Sequence, residues 1–401
     1  MTEKIYETDS CAKECTAVVR ACTPAEGGFD VLLDRTVFFP EAGGQPCDLG
    51  TIGGARVCHV REEGDEVVHR CDQALVPGEE AALRIDWARR FDYMQQHTGE
   101  HLLSFAMHKL FAANNIGFHL AETDYTTIDF DQPLSPEQLD EAQRLTNTLI
   151  WQNLAVSVRL YDSAEALAGL PLRKQAEGLC PPIRVVSMEN ADMCTCCAPH
   201  CRQSGEVGML LITDAISYKG GTRVFFVCGG RALDYAANTH DALDTLARRF
   251  SCQRAMVPAA VEKLSADYAR ARHGEKTLSA ALNDYVVAEL KAGAETIGKK
   301  RLILQLLENV DAGRLKSLAQ GTLEGETLCI LLSKTEAGLA YVVAASEGFL
   351  PDAGELIQVV NAATGGKGGG RNGFAQGMAP SAAGAAETLA QLGAYLHQRL
   401  S

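Results

Sequence analysis

Two pairs of metal-binding residue types, each with its members four positions apart, stand out in this 401-residue sequence. His97 and His101 form the first pair, and Cys196 and His200 form the second. Residues four apart lie on one face of a helix, so both imidazoles of the first pair can reach a single ion. Imidazole and thiolate suit a borderline-soft cation. The first pair alone would equally fit two ordinary helix histidines, but both pairs together predict one zinc ion per chain, bound by these four side chains.

A glutamate beside the first pair opens a rival interpretation. Because Glu100 precedes His101, the string His97-x-x-Glu100-His101 also fits the inverted zinc-peptidase pattern, in which the glutamate is a general base. A second donor pair of Cys and His would be redundant in such a peptidase. Under the main hypothesis, Glu100 is a catalytic carboxylate or base beside the metal.

The segment around Gly43-Gly44-Gln45 is rich in glycine and proline, which predicts a loop. Glycines let a backbone approach a ligand closely, and the Gln45 amide can donate a hydrogen bond to a bound ester. We therefore predict Gln45 as a catalytic donor, with Thr36 and Asp48 as substrate-binding residues near it in sequence. The alternative is a simple turn between two strands.

A second glycine-rich segment, from Gly365 to Arg371, contains two cations. It lacks the Gly-Lys-Ser/Thr ending of a nucleotide-binding P-loop. Its glycines can form a concave group of backbone N–H donors, with Lys367 and Arg371 supplying charge for a phosphate. The sequence predicts these two residues as RNA-binding, with a flexible loop as the alternative.

Bulk composition excludes several classes of protein. Hydrophobic residues make up 46% and charged residues 22% of the chain, as in an ordinary globular protein of two or three domains. The net charge of −14 excludes non-specific coating of nucleic acid, so any RNA contact must be local. The first ten residues lack an apolar run and no stretch approaches a membrane span. We therefore expect a cytoplasmic protein with no membrane partner, whose 14 cysteines stay reduced.

Several elements are predicted to position these residues. Short apolar stretches from Cys15 to Ile85, separated by Gly and Asp turns, predict a small β-rich domain. Asp86 is a predicted N-cap, and the apolar spacing after it places the histidine pair on a helix. Asp124 to Asp131 alternates like a half-buried strand, and Ser135 begins another helix with a capping box.

The second half of the chain begins with a long helical pattern. It follows Pro258 and continues to Leu290, with a break predicted near Gly274, and it is typical of a spacer or a dimerisation helix. Strands then alternate with helices up to the glycine cluster, which predicts a separate α/β unit.

Seven short motifs together resemble those of the alanyl-tRNA editing family (AlaX type, long form), relatives of the editing and C-terminal parts of alanyl-tRNA synthetase. They cover nearly the whole chain in family order. The motifs are Arg35–Pro46, Gln96–Leu103, Gly117–Leu120, Thr127–Phe130, Cys196–His200, Ser204–Gly208 and Gly365–Arg371.

The resemblance implies an α+β chain with four parts: a small β-barrel domain at 1–88, a zinc-containing, synthetase-type α+β editing domain at 89–250, a helical linker at 251–312 and a DHHA1-type α/β RNA-binding domain at 313–401. It implies a zinc-dependent trans-editing hydrolase that deacylates seryl-tRNA(Ala) and glycyl-tRNA(Ala), with a homodimer formed through the linker and the C-terminal domain. A pocket built for alanine cannot strongly reject glycine or serine, so a second hydrolytic site is needed.

The chain departs from the family at the second donor pair. Where the family has Cys-Gly-Gly-Thr-His, this sequence has Cys196-Cys197-Ala198-Pro199-His200. Both donors remain, but Cys197 becomes a competing thiolate. The synthetase's aminoacylation core is missing, so we expect no tRNA charging.

Four protein donors would close a tetrahedral site. A catalytic site therefore needs a loosely bound Cys196 or His200, or a five-coordinate state. A closed structural zinc in a non-enzymatic RNA-binding protein is the second alternative, beside the peptidase.

Overall fold

The computed structural model describes residues 1–121, 125–175, 178, 181–371 and 373–400. The chain divides into two units, Met1–Arg254 and Ala255–Ser401. Strands and helices occur in both, so the predicted α+β class is confirmed.

The first unit contains a barrel, three smaller sheets and helices. Its elements in chain order are β1 (Glu3–Lys4), α1 (Ile5–Thr8), β2 (Glu14–Ala25), β3 (Gly28–Leu33), β4 (Arg35–Thr36), β5 (Gly50–Ile52), β6 (Ala55–Glu63), β7 (Glu66–Cys71), β8 (Glu80–Ile85), α2 (Trp87–Phe111), β9 (Asn115–Leu120), β10 (Thr126–Phe130), α3 (Pro136–Trp151), β11 (Val156–Tyr161), β12 (Ile183–Met188), β13 (Met193–Thr195), β14 (Leu210–Tyr218), β15 (Gly221–Cys228) and α4 (Gly229–Arg249).

The barrel closes in the strand order β2-β3-β7-β6-β5-β8. Alternation explains why these segments form it. In β8, for example, Ala81, Leu83 and Ile85 are buried while the residues between them are exposed, and the buried set packs with Val31 and Val57 of other strands. One face of every strand therefore fills the barrel.

Helix α2 lies on the sheet of the order β14-β15-β10-β9. Its start is set by Asp86, whose carboxylate accepts a hydrogen bond from the Arg89 N–H, and it ends at Ala112 in the left-handed region. Helix α3 has the predicted capping box between Ser135 and Gln138. Both predicted helix starts are confirmed.

The first unit also has a two-stranded sheet of β1 and β4 and a three-stranded sheet in the order β11-β12-β13. The three-stranded sheet ends in β13. It leads into the segment that carries the second donor pair. The strand predicted at Asp124–Asp131 is observed as Thr126–Phe130, and Asp124 itself lies outside the described residues.

The second unit is a mixed sheet, in the order β16-β17-β18-β19-β21-β20, with hydrophobic cores on both faces. Its elements are α5 (Val257–Ala292), β16 (Glu295–Ile297), β17 (Lys300–Glu308), α6 (Ala312–Thr322), β18 (Thr327–Thr335), β19 (Gly338–Ala345), α7 (Ala353–Thr364), β20 (Lys367–Arg371), β21 (Phe374–Ala379) and α8 (Ala385–Leu400).

Two features of this unit differ from the sequence predictions. Helix α5 runs unbroken through Gly274, so the predicted break is wrong. A single glycine costs about 1 kcal/mol in a helix, which the strong helix formers around Gly274 offset. The glycine cluster, predicted as a concave group of backbone N–H donors with a flexible loop as the alternative, is an edge strand, because Lys367–Arg371 pairs antiparallel with β21. A β-carbon at Gly368 or Gly370 would lie within 2.6 Å of the β21 backbone, so glycine permits this pairing.

Within the described part of the chain, we find no helix with an apolar stretch sufficient to cross a membrane.

Candidate metal centre

Helix α2 presents His97 and His101 on one face, one turn apart, with ring centroids 5.5 Å apart. Both are buried. Gly99 between them lets the helix pack closely on β15, since a β-carbon there would lie 2.3 Å from the Cys228 sulfur. The Phe118 ring of β9 lies 4.8 Å from the His97 ring. The two imidazoles are therefore buried where α2 packs against β9 and β15, and solvent does not reach them freely.

Cys196 and His200 come from the loop after β13. Buried Arg184 of β12 fixes this loop by donating hydrogen bonds to the carbonyl oxygens of Cys196 (2.8 Å) and Ala198 (2.7 Å). The Cys196 sulfur lies 3.5 Å from His97 Nε2 and 3.4 Å from His200 Nε2. Segments about a hundred residues apart thus meet at one point.

The ligand atoms of His97, His101, Cys196 and His200 all lie within 4.8 Å of one another. The structure brings together the four residues that the sequence singled out. Three nitrogens and one sulfur in this arrangement could hold a metal ion.

Each imidazole also has a polar partner at Nδ1. His97 Nδ1 lies 3.0 Å from Gln45 Oε1, His101 Nδ1 lies 3.0 Å from Asp192 Oδ2, and His200 Nδ1 lies 3.1 Å from Thr98 Oγ1. Such partners fix the ring orientation and tautomer of metal-binding histidines, leaving Nε2 for the ion. The arrangement is therefore that of a metal centre with its supporting shell.

Sequence reasoning missed Asp192 and its buried partner Arg173. The Arg173 guanidinium donates to both Asp192 oxygens, at 2.5 and 3.0 Å. Cys194 also approaches this group, its sulfur lying 3.3 Å from His101 Nδ1. The one signal in the sequence is that Asp192 and Cys194 lie just before Cys196, in a segment already marked by its cysteines.

Electrostatics favour the metal-binding forms of Cys196 and His200, but not that of His101. Burial alone would lower the pKa of His101, but the charge of Cys194 and the hydrogen bond with Asp192 raise it well above its usual value. Burial alone would raise the pKa of the Cys196 thiol, but the charges of His97 and His200 and hydrogen bonds from His101 and His200 lower it well below its usual value. Burial, followed by the charge of His101, lowers the pKa of His200 to about 3. A thiolate beside a neutral imidazole is the protonation state that a metal ion requires.

Gln45 reaches His97 from a tight turn. Ala42 and Gln45 exchange backbone hydrogen bonds of 3.2 and 3.0 Å across Gly43 and Gly44, whose φ angles are 61° and 77°. Two successive positive φ values define a type I′ turn, for which glycine is strongly preferred. A β-carbon at Gly44 would lie 2.6 Å from the Phe118 carbonyl oxygen. The glycines therefore place the turn against the metal centre.

Glu100 is buried close to the cluster. Its Oε1 accepts hydrogen bonds from Ser104 (2.6 Å) and Asn115 (2.5 Å), and its Oε2 lies 3.8 Å from His101 Nε2. One carboxylate oxygen is thus fixed by the protein while the other faces the histidines.

Thr36 and Asp48 are buried and bonded within the protein. Thr36 Oγ1 lies 2.8 Å from His69 Nε2 and accepts from the Phe38 N–H. Asp48 forms a buried ion pair with Arg90 and accepts from the Phe39 N–H at 2.7 Å. In this geometry they support the chain that leads to the Gly43-Gly44-Gln45 turn, and their substrate-binding role stays a prediction.

The predicted RNA-binding residues lie in the second unit. Lys367 and Arg371 are the two exposed ends of edge strand β20. Nearby, Lys316 of α6 has its Nζ 5.2 Å from the ring of Phe374, the residue that pairs with Arg371 across the hairpin. Lys316 and Arg371 therefore both lie near Phe374, Lys316 through its side chain and Arg371 through strand pairing.

Fold and site together define an α+β protein with a buried group of three histidines and a cysteine that could hold a metal ion. No protein-family model matches the chain. The alanyl-tRNA editing protein Aarsd1 of Mus musculus is 30% identical over 98% of this chain and 98% of that protein. The protein of the same name from Bos taurus is 34% identical over 64% of this chain, which covers 62% of that protein.

The chain therefore belongs to the alanyl-tRNA editing protein family. An alanine–tRNA ligase from Halorubrum lacusprofundi is 28% identical over 95% of this chain and 42% of that protein. Among solved structures, the C-Ala domain of Aquifex aeolicus alanyl-tRNA synthetase matches 26% of this chain and 97% of that chain, at 24% identity and a TM-score of 0.24. That score is too low to equate the two folds.

Proposed function

We propose that this protein is a zinc-dependent hydrolase that cleaves the ester between a wrong amino acid and the terminal ribose of mischarged tRNA(Ala). The observation that carries the proposal is the buried cluster of His97, His101, Cys196 and His200 in a member of the alanyl-tRNA editing family. Seryl-tRNA(Ala) and glycyl-tRNA(Ala) are the proposed substrates. An alanine pocket rejects glycine and serine poorly, so their esters need a hydrolytic site.

The spacing of the donors supports zinc as the ion. Zinc binds imidazole nitrogen at about 2.0 Å and thiolate sulfur at about 2.3 Å, so a tetrahedral site separates the two ligand atoms by about 3.5 Å. The observed separations from Cys196 Sγ are 3.5 Å to His97 Nε2 and 3.4 Å to His200 Nε2. Both separations from Cys196 therefore match those of a tetrahedral zinc site.

Zinc held by His97, His101, Cys196 and His200 would supply positive charge to polarise the ester carbonyl and to make a water molecule more acidic. Side chains of the protein accept the proton and orient the metal-binding histidine. Glu100 Oε2, on the side of the histidines, accepts the proton of the attacking water, while Ser104 and Asn115 hold the carboxylate through Oε1. Gln45 orients His97 through Nδ1.

The second unit is proposed to bind the tRNA. Lys367, Arg371 and Lys316 place cations around the β20–β21 hairpin in a chain whose net charge is −14. Local cations of this kind can neutralise a few phosphates without making the protein a general nucleic-acid binder.

We further propose that helix α5 mediates homodimerisation. Its large apolar side chains form two groups, each with the three- and four-residue intervals of a coiled-coil seam, and ten residues separate Tyr268 of the first group from Leu278 of the second. They are exposed, Tyr285 by 78% and Leu278 by 73%. A second copy of the same stripe is self-complementary. The stripe consists of Val261, Leu264, Tyr268, Leu278, Leu282 and Tyr285.

Sedimentation tests the dimer. Leu278→Glu should convert the protein to monomer, because it places a charge in the seam. Ala280→Glu, on the opposite face of the same helix, is the matched control and should leave the dimer intact. A monomeric wild-type protein at micromolar concentration would contradict the proposal.

The four-part division at residues 88, 250 and 312 and the cytoplasmic location belong to the same proposal. Limited proteolysis with mass mapping would test the boundaries, and fractionation would test the location.

A deacylation assay tests the proposed activity. Purified protein is incubated with seryl-, glycyl- and alanyl-tRNA(Ala), with and without a zinc chelator. We expect release of serine and glycine, retention of alanine, and loss of activity with the chelator. Zinc-loaded protein that binds these tRNAs without hydrolysis would indicate an RNA-binding protein with a structural zinc. Cleavage of peptides instead would indicate the peptidase.

A further inference from the structure

A short segment, residues 6–10, lies against the loop after β13, here called the metal loop. We call this segment the strap. Its anchor is Tyr6, which is 3% exposed and packs in a small apolar cluster with Phe39 and Ala198. The Tyr6 and Phe39 rings meet edge to face with centroids 5.5 Å apart, and Cys196 packs against the same cluster. The buried aromatic ring therefore holds the strap against the metal loop.

Buried Arg184 joins the strap to the metal loop. Its guanidinium donates to the Glu7 carbonyl at 3.1 Å and to Ser10 Oγ at 3.4 Å, both on the strap. The same guanidinium donates to two carbonyls of the metal loop, at 2.8 and 2.7 Å. Ser10 Oγ also accepts from the backbone N–H of His200 at 3.4 Å. The strap therefore fixes the metal loop at His200 directly and at Cys196 through Arg184.

The strap also contacts the helix that carries the other two donors. Arg90 of α2 is fully buried and donates to the Ser10 carbonyl at 2.8 Å. Because His97 and His101 lie on the same helix, the strap has a fixed contact with each donor pair. The two pairs come from elements that are distant along the chain, so their separation depends on the groups that pack against both.

We infer that the strap positions the metal centre: Tyr6 and Ser10 hold the metal loop at the distance from α2 at which all four donors reach one ion. The inference rests on the proposed zinc site and not on the proposed deacylase activity. A metal ion binds more tightly when its ligands are held in place before it arrives, because less conformational freedom is lost on binding. A docked strap and a bound ion therefore stabilise each other.

This coupling has a quantitative consequence. The factor by which docking of the strap raises the zinc affinity equals the factor by which zinc favours the docked strap. Hydrogen exchange measures docking, since the Asp9 N–H donates to the Ile5 carbonyl at 2.9 Å and the Ala12 N–H donates to the Asp9 carbonyl at 3.2 Å. Groups that support metal ligands typically change metal affinity by about 10–100-fold. Removing zinc from the wild-type protein should therefore speed exchange at residues 5–12 by about 10–100-fold.

Substitutions in the strap test the same factor from the other side. Tyr6→Ala should undock the strap and lower the zinc affinity by about 10–100-fold, measured by competition with a chromogenic chelator. Ser10→Ala, which removes one acceptor and leaves the ring in place, should lower it by about tenfold. Tyr6→Phe keeps the buried ring and should bind zinc within about twofold of wild type.

Thr8→Ala is the matched control on the strap. Thr8 is exposed, and its hydroxyl donates to the Ile5 carbonyl within the same turn. Its zinc affinity should equal that of wild type. A purely structural role of the strap would lower the free energy of unfolding in Tyr6→Ala without changing the zinc affinity of the folded protein.

The exchange measurement on wild type needs no variant, so it decides the question even if Tyr6→Ala does not fold. Equal exchange at residues 5–12 with and without zinc would overturn the coupling. Wild-type zinc affinity in Ser10→Ala and in folded Tyr6→Ala would overturn the positioning role. A wild-type protein that binds no zinc would overturn the proposed zinc site and this inference with it, whereas a zinc-loaded protein without deacylase activity would overturn the proposed activity alone.

Discussion

Replacing Asp192 by asparagine tests how much the carboxylate behind His101 contributes to metal binding. Asp192 Oδ2 accepts from His101 Nδ1 at 3.0 Å, and Arg173 binds both carboxylate oxygens. The side chains of Asp192 and Arg173 are only 1% and 9% exposed, so solvent screens neither interaction strongly. Asparagine has the shape of aspartate but no charge, so both His101 and Arg173 lose a charged partner.

Two separate effects follow from this geometry. Loss of a carboxylate partner of a metal-binding histidine costs about 10–100-fold in metal affinity, or about 1.4–2.7 kcal/mol. In addition, Arg173 is left as a buried cation without its counter-charge, which costs about 3–5 kcal/mol of folding free energy. Adding Arg173→Met to Asp192→Asn removes that uncompensated charge. The double variant should therefore regain most of the stability but none of the zinc affinity.

Chelator competition measures the zinc affinity, and urea unfolding of the zinc-free protein measures the stability. Asp140→Asn is the matched control, because Asp140 makes an exposed ion pair with Arg144 on α3 and should change neither quantity measurably. Zinc affinity within twofold of wild type in Asp192→Asn would refute the reasoning. Equal stability of the single and double variants would refute the second part.

Further predictions concern the metal ligands, a buried histidine and the RNA-binding strand. Cys196→Ala should reduce zinc from about one ion per chain to nearly none while Cys197→Ala retains it; equal zinc content in the two variants would refute the ligand assignment. Burial lowers the pKa of His69 to about 4, although a hydrogen bond to the Val31 carbonyl acts in the opposite direction. As pH falls below about 6.5, the unfolded state therefore binds a proton before the folded state does, and the free energy of unfolding declines until about pH 4. Between pH 8 and pH 5 wild type should therefore lose about 2 kcal/mol more unfolding free energy than His69→Gln, and parallel pH profiles would contradict this. Lys367→Ala with Arg371→Ala should weaken tRNA binding and reduce the slope of log affinity against log salt by about 1.4–1.8, whereas an unchanged slope would show that neither cation contacts a phosphate.

Local sequence pattern was sufficient for much of the framework. The Asp86 N-cap and the helical spacing after it placed His97 and His101 on one helix face, and Ser135 marked the start of α3. These features depend on residues within four positions of one another, whose geometry the backbone hydrogen bonds of a helix dictate.

Errors arose where local preference competes with packing. Gly274 predicted a break in α5, but one glycine does not outweigh a long run of helix formers. The segment from Gly365 to Arg371 suggested a loop, whereas close approach to β21 and α7 makes most of it a strand. Glycine composition shows which positions can adopt many backbone conformations, and packing against neighbouring elements determines which conformation forms.

By itself the sequence determined which residue types could meet at a metal and that two pairs had the spacing to do so. Only the tertiary structure decided which residue lies at Nδ1 of each imidazole: Gln45 at His97, Asp192 at His101 and Thr98 at His200. Those pairings join a barrel loop, a helix and a strand end that are distant along the chain. Their distances are set by how hydrophobic cores pack, and no short-range periodicity encodes that packing.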